Sequence, residues 1–321
     1  MEYPVLSHHG GTRGVTGSCH QLHLDPSTSL LVDCGLEQGA EAAPGAETAP
    51  LGFDVQGIEA LIVTHVHLDH VGRIPALLVA GYRGPILCSE PSARLLPLVL
   101  EDAYKLNISS EPVQVARYLD FVRGLIVPLP FEHWHTLVER PGLACRIRLQ
   151  RAGHLLGSAY VECDMQHGQA NSRYVFSGDL GACANPLLRP LQPPERADVL
   201  VLESTYGDRL HAHAGDRRQR LEAAIDRALA DKGTILIPAS AWAAPRNYCT
   251  SLKTFFIARL CWVALVLGRM ATRSTGRSCP LSSTHPWPSA SPVCIGTCMT
   301  TGMPRPRRDL QKAATRSALV S

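Results

Sequence analysis

Four metal-binding side chains, His65, His67, Asp69 and His70, fall within six residues, directly behind the apolar run Ala60 to Thr64. A short β-rich run of this kind suits a buried strand, and the candidate ligands follow where that strand would end. His65 and His67 are two apart and can point the same way from extended chain. Asp69 and His70 fall where the sequence turns toward a helix expected over Ile74 to Ala80. One ion can then take the imidazoles of His65 and His67, and a second the carboxylate of Asp69 with the imidazole of His70. Imidazole with carboxylate suits zinc first, with iron or manganese behind it. Lone histidines are usually solvated surface residues, but four ligand-type residues at this spacing make a plain surface loop a poor account.

Two later segments add candidates. His154 lies in Ala152-Gly153-His154-Leu155-Leu156-Gly157-Ser158-Ala159, after the alternating run Cys145 to Gln150. That places it at a strand end, among small residues that let backbone come close. Asp179 follows Tyr174-Val175-Phe176-Ser177-Gly178, a short apolar run closing in a glycine turn, and could bridge two ions. Taken singly, each is more often a cap or turn residue; their order behind the histidine-rich run is what joins them.

From about Val5 to Pro238 the sequence resembles the metallo-β-lactamase fold superfamily. The resemblance implies an α/β fold, a four-layer αβ/βα sandwich with two metals at one edge of its two sheets, here incomplete at the C-terminus. It implies His65, His67 and His154 on one zinc, Asp69 and His70 on the other, and Asp179 between them. Asp33, in Leu30-Leu31-Val32-Asp33-Cys34-Gly35, matches an early aspartate that helps hold the metal loop. Leu202-Glu203-Ser204-Thr205-Tyr206-Gly207-Asp208 resembles a motif of the β-CASP nucleases, which cut RNA and some DNA. The chemistry implied is metal-assisted phosphodiester hydrolysis, in which Asp69 orients the attacking hydroxide. Glu203 would help protonate the leaving oxygen together with a histidine far downstream, for which no match is found. A carboxylate at a strand end near the metals can polarise a histidine or hold a leaving-group proton; Glu203 taken alone suits a cap on the next segment better, and its context favours the functional role.

Charge divides the chain near residue 246. The last 75 residues hold ten Lys or Arg against one acid, a balance of +9, so residues 1 to 246, with 21 basic and 27 acidic side chains, carry −6. The tail also lacks sustained helical or strand periodicity. Read from the third base of each codon, Asn247 to Arg259 permits an amphipathic helix and Ser278 to Gly302 permits a text containing Asp-Ser-Pro-Leu-Ala. Ala239 to Pro245 permits Phe-x-Val-Gly-Arg-Thr, and all three look like β-CASP segments. The expectation is a frame slip between about Ile237 and Ala241. Three segments follow: a metallo-β-lactamase core over 1–205, the start of a β-CASP insertion over 206–246, and an out-of-frame, disordered tail over 247–321. The second metal site would then lack its last histidine; His133, His135, His211 and His213 are available, but nothing in the sequence places them near, and a solvated position suits them better.

The upstream cysteines (Cys19, Cys34, Cys88, Cys145, Cys163, Cys183) lack paired short spacing, as expected of buried free thiols in a reducing cytoplasm. No basic segment followed by an apolar run opens the chain, so no export signal is expected, and no membrane segment either. Helices are expected over Pro91 to Leu106 and Arg217 to Asp231, a strand over Val199 to Leu202, and an exposed loop over Glu37 to Pro50. RNA binding does not follow from charge, because the upstream part is net acidic. Two other readings accompany the dinuclear zinc ribonuclease: a small-molecule hydrolase of the same fold cleaving a thioester or lactone, and a non-catalytic metal-binding or scaffold remnant. Nothing in the sequence bears on oligomeric state.

Overall fold

A computed structural model describes residues 3–39, 45–46, 48–181, 188–209 and 216–230. Cys183, His211, His213, the junction at 237–241 and the segment 247–321 lie outside these, as does Asp231 at the end of the expected last helix. The chain divides into two compact units, Met1–Arg209 and Leu210–Ser321.

The first unit holds two sheets. Strands β1 (Val5–Gly10), β2 (Cys19–Asp25), β3 (Thr28–Val32), β4 (Ile58–Ile62), β5 (Ile86–Ser89) and β6 (Ile126–Leu129) form one, in that order. Its first three strands are antiparallel and its last four parallel. Of the parallel strands, β4 and β5 are joined through helices α1 (Leu68–Val71) and α2 (Ile74–Val79), and β5 and β6 through α3 (Glu90–Asn107) and α4 (Pro112–Leu125), crossovers of the kind that parallel pairing requires. Strands β7 (Trp134–Arg140), β8 (Leu143–Arg151), β9 (Ala159–His167), β10 (Ala170–Phe176) and β11 (Val199–Val201) form the second sheet, in the order β11-β10-β9-β8-β7.

The core lies between the sheets. Leu22, Leu24, Leu30, Val32, Ala60 and Ile62 of the first meet Cys145, Ile147, Leu149, Val161, Cys163 and Phe176 of the second. β8 shows why: its odd-numbered residues Leu143 to Leu149 are buried, while Arg146 faces outward, the period of two that one covered face demands. On the other side of the first sheet α3 packs on β5 and β6. The two sheets and flanking helices of a metallo-β-lactamase fold are thus present. In the second unit the described element is α5 (Arg217–Ala230).

Several element ends differ from the sequence expectation for local reasons. The strand expected over Ala60 to Thr64 stops at Ile62, because the Thr64 N–H bonds the Asp33 carboxylate at 2.8 Å. Asp69 and His70, expected in a turn, sit in the one-turn helix α1. α3 starts at Glu90 because the Ser89 hydroxyl accepts the Ser92 N–H. Helix α4 was not expected at all. Its start is nevertheless well signalled: Glu111 accepts the N–H groups of Val113 and Gln114, Pro112 follows it, and Val115, Leu119 and Val122 make the buried stripe.

Candidate metal centre

The histidine-rich segment leaves β4 at the sheet edge and is stitched down by backbone. Ser18, Cys34 and Leu36, beyond the ends of β2 and β3, donate their N–H groups to the carbonyls of Asp69, His70 and Leu68 at 2.8, 2.8 and 3.0 Å. Gly35 lies so close under this segment that a Cβ there would come within 1.7 Å of the Asp69 carbonyl. His154 is delivered by the β8–β9 connection, where the Ser158 hydroxyl accepts the N–H groups of His154 and Leu155 at 3.0 and 3.2 Å. The Ala159 N–H then bonds the Thr64 carbonyl at 2.8 Å, joining the two sheets beside the site. Asp179 follows β10 through Gly178, whose φ is +51° and whose Cβ position lies 2.7 Å from the Thr64 Cβ.

These loops bring the six sequence-expected donors into two groups: His65, His67, His154 and Asp179, and Asp69, His70 and Asp179. Within the first, His67 Nδ1 lies 3.1 Å from His65 Nε2 and 3.2 Å from His154 Nε2. Asp179 Oδ2 lies 3.6 Å from His65 Nε2 and 3.5 Å from His154 Nε2. Four donors arranged tetrahedrally about a zinc ion at ~2.0–2.1 Å would be about 3.3–3.4 Å apart, so the set fits such an ion. In the second group Asp179 Oδ1 lies 3.2 Å from His70 Nε2, and Asp69 Oδ2 lies 3.8 Å from the same nitrogen. The two oxygens of Asp179 therefore face different groups, which is what a bridging carboxylate does.

Asp33 sits behind His70. It is 1% exposed, with φ +60°. One oxygen accepts the Thr64 N–H and the other faces both the Thr64 hydroxyl, at 2.8 Å, and His70 Nδ1, at 2.7 Å. Holding the proton on Nδ1 leaves Nε2 aimed at Asp179 and Asp69, the arrangement by which a carboxylate orients a metal-binding histidine.

Charge in the cluster follows burial and neighbours. Burial, with the adjacent histidines, holds His65 well below the ordinary range and His67 at about 4, and lowers His154 against the pull of Asp179. Burial also disfavours a charged His70, but Asp33 and Asp179 overcome it and push that ring up to about 10. Burial raises Asp69, whereas at Asp179 the neighbouring histidines, His70 first, outweigh burial and lower it. Three neutral imidazoles beside a lowered carboxylate are ligands already in their binding form at pH 7.

Glu203 stands outside both donor groups. One carboxylate oxygen accepts the Leu180 N–H at 2.8 Å and the other the Thr205 hydroxyl at 2.7 Å, while its own N–H donates to Ser177 Oγ at 2.9 Å. Neither His133 nor His135, both on or beside β7, belongs to a donor group; His133 Nδ1 instead faces the Phe131 carbonyl at 2.7 Å. Sequence reasoning missed Ser18, Thr64, Ser158 and Ser177 as parts of the site. Of these only Thr64, beside His65, carried a positional hint.

Comparisons with known proteins agree in kind. Residues 18–240 match the family described as the Metallo-beta-lactamase superfamily. A ribonuclease of Thermus thermophilus is 37% identical over 229 residues, covering 71% of this chain and 50% of that protein. A transcription termination factor, FttA, of Methanococcus maripaludis is 32% identical over 236 residues, covering 71% of this chain and 36% of that protein. An endoribonuclease of Kluyveromyces lactis is 27% identical over 240 residues, covering 71% and 30% respectively. The chain thus spans half or less of the length of these relatives.

Proposed function

Because the chain belongs to the metallo-β-lactamase superfamily, we propose that it is a dinuclear zinc hydrolase that cleaves phosphodiester bonds of RNA. The observation that carries the reading is the split of Asp179 between two donor groups, each within the reach of one ion. In this reading His65, His67, His154 and Asp179 hold one zinc, and Asp69, His70 and Asp179 the other. A pair of zinc ions there would supply Lewis acidity, bringing water toward a pKa of about 7 and offsetting negative charge on phosphoryl oxygens. The chain's own residues prepare the place for it. Asp33 keeps the His70 proton on Nδ1, and the stitching of α1 fixes the direction of Asp69. The Asp69 carboxylate is placed to orient the attacking water.

RNA as substrate is supported by the names of the ribonuclease and endoribonuclease relatives and by the likeness of Leu202 to Asp208 to the β-CASP motif. Five buried free cysteines, Cys19, Cys34, Cys88, Cys145 and Cys163, suit a reducing compartment such as the cytoplasm. No described helix is long and apolar enough to cross a membrane.

The test is hydrolysis of an end-labelled RNA oligonucleotide, run beside a thioester and a lactone. The expected result is RNA cleavage that chelation stops and zinc restores, absent from both His65→Ala and Asp179→Ala. Intact RNA with turnover of the thioester or lactone would move the chain to small-molecule hydrolysis. Zinc binding without any turnover would leave a scaffold.

A further inference from the structure

Both oxygens of Glu203 are engaged in holding chain, and what they hold is the residue next to the bridging aspartate. The segment Ser177 to Leu180 is fixed at three points. Before Asp179, the Ser177 N–H bonds the Val201 carbonyl at 2.9 Å, and its hydroxyl donates to the Gly178 carbonyl at 2.7 Å while accepting the Glu203 N–H. At Gly178 the backbone lies against Thr64, too close for any side chain. After Asp179, the Leu180 N–H is taken by Glu203 Oε1, and Glu203 Oε2 is in turn held by the Thr205 hydroxyl. Removing the third point leaves the Leu180 N–H without its partner and moves the next anchor beyond Asp179 to Gly181, whose N–H bonds the Ala152 carbonyl at 2.9 Å.

We infer that Glu203 is a positioning residue: its carboxylate clamps the Leu180 N–H so that Asp179 presents one oxygen to each donor group. This rests on the two-ion reading above, and it differs from the proton-donating role that the motif resemblance implies for Glu203. Here each of the two oxygens is already engaged in holding chain, one with a backbone amide and the other with a hydroxyl, beside a cluster whose His154 feels the Glu203 charge. What the clamp requires is an acceptor of the right shape, not a titratable group. Glutamine supplies one, since its Oε1 can accept the Leu180 N–H and its amide can donate to the Thr205 oxygen. Alanine does not.

The experiment titrates the full chain with zinc against a chromophoric chelator, for the parent and for Glu203→Gln, Glu203→Ala and Asp179→Ala, with a thermal melt of each to establish folding. Outer partners of metal ligands typically contribute ten- to a hundredfold in affinity. The expected result is that Glu203→Ala weakens both zinc sites by about that factor, toward the level of Asp179→Ala, while Glu203→Gln stays within about threefold of the parent, well inside that range. Should the alanine variant fail to fold, Thr205→Val, which removes only the support of Oε2, is expected to give a smaller weakening in the same direction. Zinc affinities equal in the parent, the glutamine and the alanine variants would overturn the inference while leaving the two-ion reading standing. A parent that binds no zinc would overturn both.

Discussion

Asp33→Asn tests the geometry behind His70 with little disturbance to the backbone. Asp33 occupies the left-handed region at φ +60°, where asparagine is among the few residues at ease, and the two side chains have the same shape. What changes is the sign of one hydrogen bond. Asp33 Oδ2 faces both the Thr64 hydroxyl and His70 Nδ1, at 2.8 and 2.7 Å, and an asparagine that still accepts the Thr64 N–H through Oδ1 must put its NH2 there. Thr64 Oγ1 can accept from it. His70 Nδ1 can accept only if its proton moves to Nε2, the nitrogen that faces Asp179 at 3.2 Å, which removes the lone pair the second ion needs. The loss expected is ten- to a hundredfold in affinity for the second ion, about 1.4–2.7 kcal/mol. The first site is expected to change less, since Asp33 reaches its donors only through the Thr64 hydroxyl, 3.2 Å from His65 Nδ1. Zinc titration with native mass spectrometry separates the two steps. Equal second-ion affinity in the parent and Asp33→Asn, with both folded, would refute the reasoning.

Three further outcomes follow from the same structure. His70 is pushed up to about 10 and must release a proton to bind, whereas His65, His67 and His154 are held low; affinity at the second site should therefore rise with pH more steeply than at the first, as read by calorimetry in buffers of different ionisation heat. Burial, against the pull of Asp33, holds His20 at about 4; its unfolded form takes up a proton near 6.5 and the folded form does not, so stability falls as pH drops through that window, by about 3 kcal/mol when complete, and denaturation curves of His20→Gln should lack this share of the slope. Gly178→Ala places a methyl 2.7 Å from the Thr64 Cβ at φ +51°; it should cost about 1–3 kcal/mol and weaken both zinc sites, measured by urea unfolding and zinc titration.

The donors were legible because each stands at the end of an apolar run, and strand ends in a two-sheet fold gather at one edge. His65 and His67 could be assigned to one ion by their period of two alone. Asp33 could not, because its partners Thr64 and His70 are 31 and 37 residues away and only the fold brings them together; the family resemblance supplied it. Ser18 and Ser177 were illegible for the same reason, since a serine reads as a turn residue until the loop it holds is known. Glu203 reads as a proton donor through its motif or as a cap on the next segment; its bond to the Leu180 N–H, 23 residues upstream, was not legible because only the fold brings the two together. Helix α4 was missed although Glu111-Pro112 is a good start signal, because its buried stripe has only three residues, Val115, Leu119 and Val122.

The central claim is that two metal ions flank Asp179. Anomalous diffraction at the zinc edge, on crystals of the full chain grown with zinc, tests it directly. Two peaks about 3.5–4 Å apart, one among His65, His67 and His154 and the other beside Asp69 and His70, with the Asp179 carboxylate between them, are the result expected. A lone peak away from Asp179, or none at these six side chains, would contradict the account.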